Sequence, residues 1–218
     1  MGATADSMTE LIAVVDGVCE SELSRKEVLL NLKSRSLEQP PELAIGDGAP
    51  GFWKALRQVF PPMREHRCTV HRTANVLNKL PKSLQPQVKR LLHGIRQAPS
   101  RIEANKAFDL FDFDPCNADA FEVKYLQATE CLAKDRDELL AFYEFPAENW
   151  CHIRTTNPIE STFAMIRLRY RKTRGCSSAK ASLTMMFKLV QSASKGWRKI
   201  RGHTRLKDLL REVRFIDR

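Results

Sequence analysis

Two carboxylates stand where chemistry is easiest to build. Asp47 follows the short apolar run Leu43–Ile45 in "ELAIGDGAPG". A side chain at the end of such a strand points into the crevice that α/β proteins use for active sites. An Asp-Gly turn or a helix cap accounts for the same residue locally. Glu160 lies in "RTTNPIEST", Arg154 to Thr162. There Asn157 reads as an N-cap, Pro158 as the first helical residue, and Glu160 as the acidic member of a capping box. A strand-end carboxylate and a helix-start carboxylate are also a way to hold two divalent metals, which clamp the attacking and leaving oxygens of a phosphodiester. Mg²⁺ suits that task, since it takes few carboxylates and keeps waters and substrate oxygens.

Basic residues surround the second carboxylate. Ala164, Arg167, Arg171 and Arg174 continue the helix face that starts at Glu160. The arginines of that face form a stripe suited to phosphate contacts, and Arg154, Arg169 and Lys172 are further DNA-binding candidates. Cys68 and His71, three apart in "CTVH", share a helix face and make half a zinc site, which Cys151 and His152 would complete. Asp16 ends an apolar run in a second Asp-Gly pair and reads most simply as a turn residue.

Leu11–Asp16 and Leu43–Ile45 are short apolar runs with strand character. Between them, "ESELSRKEVLLNLKSRSL" carries Leu23, Val28, Leu29 and Leu32 at helical spacing, and Pro40-Pro41 ends it. "FWKALRQVF" is an amphipathic helix stopped by Pro61-Pro62. Alternation of strand and helix predicts an α/β sheet here. From Cys68 to about Trp150 the period is helical throughout, with Ser100 and Glu103 forming a capping box and "ATECLAKDRDELLAFY" reading as one helix. A last helix from Ala179 to Trp197 places Leu183, Met186, Phe187, Val190, Ala193 and Trp197 on one face. The expected class is therefore α-rich α/β.

Composition narrows the function. Apolar residues make up 43% and charged residues 28%, as in a soluble globular protein. No apolar run approaches the roughly 20 residues that span a bilayer. "MGATADSMTE" has neither the basic flank nor the apolar core of a secretory signal, and Ala5 spoils a myristoylation signal. A cytoplasmic location is expected. The six cysteines (Cys19, Cys68, Cys116, Cys131, Cys151, Cys176) have no repeating spacing and are expected to be thiols there. The net charge of +10 is uneven. Of 36 Lys and Arg, 17 lie from Cys151 onward, against 4 of the 26 Asp and Glu, a balance of +13. The preceding 150 residues carry 19 against 22, or −3. A basic end of this kind favours a polyanionic partner, because neutralising phosphates releases counterions.

Four blocks carry a specific likeness. "ELAIGDGAPGFWKALRQVFP", "HRCTVHRTANVLNKLP", "FPAENWCHIRTTNPIESTFAMIRLRYRKTRG" and "FKLVQSASKGWRKIRG" together resemble, in order, the Mutator-type bacterial insertion-sequence transposases. The resemblance implies an RNase H-like core, incomplete in this chain, with an all-helical insertion and C-terminal helices. On that reading residues 1–66 are a partial α/β core, 67–150 the insertion, and 151–218 a basic helical part carrying the glutamate. It implies Asp-Asp-Glu chemistry with two Mg²⁺, acting on inverted-repeat and target DNA in the nucleoid, and it leaves room for a homo-oligomer. Asp47 matches the second aspartate, Glu160 the glutamate, Cys68 and His71 a C-x-x-H signature beside the active site, and Trp197 a late tryptophan. Asp16 matches a position that is not catalytic.

The likeness also departs from the family. Ser7-Met8-Thr9 stands where the family has a glycine and a basic turn. The family's first aspartate lies on a strand before the stretch that this N-terminus resembles. The expectation is a chain without strand-transfer activity by itself and of marginal stability. A second expectation, of another class, is a product that binds DNA or the full transposase without catalysis and acts as a repressor.

Overall fold

The computed structural model describes the chain except residues 5–7, 16–20, 36, 38–39, 113–117, 173–177, 198, 203–204 and 206–218, and the side chains of 112–124. The described residues divide into two compact units. The first holds residues 1–44, 48–64 and those from 156 onward; the second holds 45–47 and 65–155.

In the first unit, β1 (Gly2–Ala3) and β2 (Thr9–Glu10) pair antiparallel, Gly2 opposite Glu10 and Ala3 opposite Thr9. The strand expected over Leu11–Asp16 is not formed at 11–15, and Asp16 lies outside the described residues. Apolar, β-branched composition is not sufficient: a strand needs a ladder partner. Among the described residues 11–15 have none, so Ile12 and Val15 stay exposed.

Helix α1 (Glu22–Ser34) starts where Ser21 accepts a hydrogen bond from the Ser24 amide at 3.2 Å. Helix α2 (Pro50–Val59) opens on proline, whose missing N–H costs nothing there. Leu29 of α1 and Trp53, Leu56 and Val59 of α2 form the core of this unit with Phe60 and Met63. The helices meet at Gly51, where a Cβ would lie 3.1 Å from the Glu22 nitrogen. The glycine permits the close approach, and Gln58 Nε2 donates to Glu22 Oε1 at 2.9 Å beside it. Helices α9 (Asn157–Lys172) and α10 (Ala179–Ser194) belong to the same unit. They touch through the Ser182 hydroxyl, which donates to the Tyr170 hydroxyl at 3.0 Å.

Strand β3 (Leu43–Gly46) pairs with β4 (Arg64–Arg67). The Arg64 amide donates to the Glu42 carbonyl at 3.3 Å, and the Cys68 amide to the Gly46 carbonyl at 2.8 Å. The pairing advances in the same direction along both chains, so the strands are parallel, with α2 as their crossover. β4 is the sequence Arg-Glu-His-Arg, too polar to announce a strand, yet its His66 is fully buried.

The second unit is helical beyond its strand segments: α3 (Thr69–Leu77), α4 (Gln85–Gln97), α5 (Arg101–Asp112), α6 (Ala118–Ala133, kinked at Tyr125), α7 (Arg136–Leu140) and α8 (Trp150–Ile153). The α5 cap is as expected, with the Glu103 amide donating to Ser100 Oγ at 3.2 Å. Val76, Leu92, Phe108, Leu132 and Phe142 form one core. Phe142, Tyr143 and Trp150 stack within it, Tyr143 and Trp150 edge-to-face at 4.7 Å. Their polar atoms are satisfied: the Tyr143 hydroxyl donates to the Ala98 carbonyl and Trp150 Nε1 to the Phe145 carbonyl, both at 2.8 Å.

The single helix expected over "ATECLAKDRDELLAFY" is interrupted at Lys134–Asp135 and ends in a 3₁₀ turn, Ala141–Glu144. The Asp135 side chain is drawn into an ion cluster, described below. No helix among the described residues is long and apolar enough to cross a membrane. Gly51→Ala should lower unfolding stability by about 1–3 kcal/mol, the usual cost of overpacking a tight contact. An unchanged denaturant midpoint would refute the close-approach reading.

Candidate nucleic-acid and metal-binding residues

Asp47 is placed by β3 and by the turn after it. The strand ends at Gly46, Asp47 is exposed, and Gly48 has φ 101°, a conformation L side chains rarely adopt. The turn therefore depends on glycine at 48. The Cys68 amide on the Gly46 carbonyl brings the start of α3 beside Asp47. Cys68 is buried and His71 half-buried, with Cys68 Sγ and a His71 ring nitrogen within 4.8 Å of each other. The predicted shared face is thus observed. Cys151 and His152 do not join it: among the described residues no group of three or more possible metal ligands includes them. Cys151 is exposed and its thiol points to the Glu148 carbonyl. The four-ligand zinc arrangement does not form.

Behind this edge lies an ion cluster that the sequence does not announce. Arg67 Nε reaches Asp135 Oδ2 at 2.6 Å, and Arg72 pairs with the same carboxylate. Arg72 Nη1 also donates to Cys131 Sγ at 3.0 Å. Burial pushes both guanidinium pKa values down; the Asp47 charge opposes this at Arg67, and the Cys131 hydrogen bond opposes it at Arg72. Both stay cationic, as arginine does in proteins. One aspartate thus ties β4, α3 and the α6–α7 turn together.

Arg154 is held at both ends. Its carbonyl accepts from the Thr69 amide at 3.1 Å and from Thr69 Oγ1 at 3.0 Å. Its guanidinium carbon lies 4.8 Å from the Phe142 ring centroid and 5.4 Å from that of Trp150. These are cation–π distances. Burial lowers its pKa first, and Arg96 is close enough to push in the same direction.

His66 lies between two carbonyls, Nδ1 at 2.8 Å from Glu138 O and Nε2 at 3.3 Å from Arg154 O. A neutral ring has one N–H, so it serves one of them, and the shorter contact marks Nδ1 as the donor. Burial drives the His66 pKa down to about 4. The folded pKa is thus below the unfolded value near 6.5, and the unfolded chain takes up the proton first. The stability from keeping His66 neutral is complete above pH 6.5 and is lost as pH falls towards 4. At 1.36 kcal/mol per pKa unit the loss is about 3 kcal/mol. Denaturant titrations at pH 7, 5.5 and 4.5 should show it, and His66→Gln should flatten that dependence. An equal slope in both proteins would refute it.

Glu160 lies in the first unit, exposed on the first turn of α9. The helix starts at Asn157, so Thr156 occupies the cap position expected of Asn157. The Thr156 hydroxyl donates to Glu160 Oε1 at 2.6 Å, and the Thr156 carbonyl accepts the Glu160 amide at 3.1 Å. The carboxylate is thus held by a threonine hydroxyl. Arg167, Arg169, Arg171 and Lys172 are all exposed on α9, whose Thr162 and Ile166 are buried. Arg174 lies outside the described residues.

The donor chemistry separates two metals. Asp47 and Glu160 offer exposed carboxylate oxygens, which fit a hard cation such as Mg²⁺. Cys68 and His71 offer softer sulfur and nitrogen, which do not.

A β3–α2–β4 unit whose first strand ends at exposed Asp47, then a helical unit, then a basic helix with Glu160 in its first turn, is the arrangement the described residues define. Comparison with known proteins is more specific. Residues 1–200 match the family described as "Transposase, Mutator family", and the chain belongs to that family. It is similar to the transposase for insertion sequence element IST2 of Acidithiobacillus ferrooxidans, 47% identical over 217 residues, covering 100% of this chain and 71% of that protein. It is 45% identical over 200 residues to the transposase for IS6120 of Mycolicibacterium smegmatis, covering 92% of this chain and 60% of that one. It is 25% identical over 215 residues to the transposase for ISRM5 of Rhizobium meliloti, spanning 51% of that protein.

Proposed function

We propose that this chain carries two carboxylates of an Asp-Asp-Glu transposase, Asp47 and Glu160, each a ligand for Mg²⁺ in DNA strand cleavage and transfer at insertion-sequence ends. The observation that carries the reading is Asp47 itself, exposed at the end of a parallel strand and set on a glycine-dependent turn. That is where an open α/β sheet presents its reactive groups. On this proposal the β3–α2–β4 pair belongs to an RNase H-like core and 67–150 to its helical insertion. Membership of the family supports it.

The residues divide the work by chemistry. Glu160 is restrained by the Thr156 hydroxyl, which limits its rotamers before any cation arrives. Arg167 and Arg171, exposed on α9, supply guanidinium forks for backbone phosphates. Cys68 and His71 pack the helix that starts beside Asp47 and shape its surroundings. Bound Mg²⁺ would polarise the phosphodiester and stabilise charge on its oxygens.

Titration calorimetry with Mn²⁺ or Mg²⁺ tests the ligand roles. Asp47→Asn and Glu160→Gln should each weaken binding about tenfold or more, and binding untouched by both changes would sink the assignment. With the third carboxylate of the trio not assigned in this chain, no nicking of inverted-repeat DNA is expected from it alone with Mg²⁺. Observed nicking would overturn that part.

The exposed basic side chains of α9 favour a second reading, DNA binding without cleavage, as in a repressor. In gel shifts without metal, affinity should fall steeply with salt, and Arg167→Gln with Arg171→Gln should reduce the log–log slope by about 2. Salt-insensitive binding would refute it.

A further inference from the structure

In the second unit a cavity of about 20 Å³ opens between α3 and α4. Thr69, Arg72, Thr73 and Arg96 stand around it, over apolar side chains that include Leu92, Ile95 and Phe142. That volume takes one water-sized oxygen and no more. The arginines, not the threonines, have donors to offer. The Thr69 hydroxyl already donates to Arg154 O, and the Thr73 hydroxyl to Thr69 O at 2.8 Å. Arg72 is 7% exposed, and its Nε is buried with no hydrogen-bond partner.

Arg154 stacks on Phe142, a cavity-lining ring, and its Nε is likewise buried without a partner. Arg96 takes part in no hydrogen bond or ion pair among the described residues. It stands near enough to Arg154 for the two charges to repel. The nearby acids do not balance this. Asp135 is shared by Arg67 and Arg72, and Glu138 acts on the same two arginines.

Buried donors without acceptors are costly, and so is like charge held together in an apolar surround. One ligand class relieves both. We propose that Arg72, Arg96 and Arg154 form a binding site for a phosphate-type oxyanion, one oxygen of which enters the cavity while the others stay at its mouth. Guanidinium groups suit it because their planar forks match phosphate oxygens. The apolar floor strengthens the attraction by excluding water. The source of the oxyanion is either free inorganic phosphate or a DNA backbone phosphate; the second rests on the function proposed above, while the site itself does not.

The test uses the full chain without divalent metal, so it is independent of cleavage. Inorganic phosphate should raise the melting midpoint saturably, beyond the effect of chloride at equal ionic strength. Arg96→Gln, checked for folding by circular dichroism, should weaken phosphate binding about tenfold or more, the loss of one charge-assisted contact. Arg96→Lys should restore part of it. Duplex affinity measured across a salt series separates the sources. A slope lower by about 1 in Arg96→Gln marks a backbone phosphate. An unchanged slope with lost phosphate stabilisation marks a free anion. Phosphate stabilisation equal to that of chloride, or equal in wild type and Arg96→Gln, overturns the proposal.

Discussion

The carboxylate of Asp135 is the constraint on which the helical unit turns. It is mostly buried, and it receives two arginines from different elements. A buried carboxylate with one partner barely offsets its desolvation, and an arginine stripped of its partner would be costly. With two guanidinium groups on one carboxylate, each element is held by the others. The helix from α6 breaks at Asp135 so that the side chain can reach them, and α7 starts again after the break. Local helix propensity gives way because the ions, once buried, must be paired.

The Arg154 segment is fixed on the same principle, with the backbone as the held group. Its carbonyl is an acceptor for Thr69, and its guanidinium sits at cation–π distance from the Phe142 and Trp150 rings. The chain then passes through Thr155 to the cap of α9, where a threonine hydroxyl orients Glu160. The two candidate carboxylates are thus placed by local features, a threonine hydroxyl at Glu160 and a positive-φ glycine after Asp47.

What could be read from the sequence follows from the range of the interactions. Asp47 and Glu160 stand out in the sequence as candidates because each sits at the boundary of an element whose pattern is local: an apolar run, and a cap before a helix. The cap of α9 falls at Thr156, one residue before the expected Asn157, because both are good caps and tertiary context chooses between them. β4 has no signature in the sequence, since Arg-Glu-His-Arg lacks apolar alternation; its pairing with β3 makes it a strand. The Leu11–Asp16 run had strand composition and, over 11–15, no partner. His66 was not legible as a buried residue, since its Nδ1 acceptor, Glu138, lies 72 residues away. The capping of α5 by Ser100 is entirely local, and it forms as the sequence predicts.

The division of the chain has a consequence for its synthesis. The first unit is interrupted, its early part ending at Arg64 and its later part beginning at Thr156, with Glu65–Thr155 between them in the second. A ribosome adding on the order of 5–20 residues per second takes several seconds or more to make that intervening stretch. During that time α1 and α2 exist without α9 and α10. The packing of α1 on α2 is local and can form early, and the helical unit can close on its own core as it emerges. The basic helix headed by Glu160, and α10 after it, join the first unit last, so the nascent chain lacks its basic end until nearly three-quarters of it has been made.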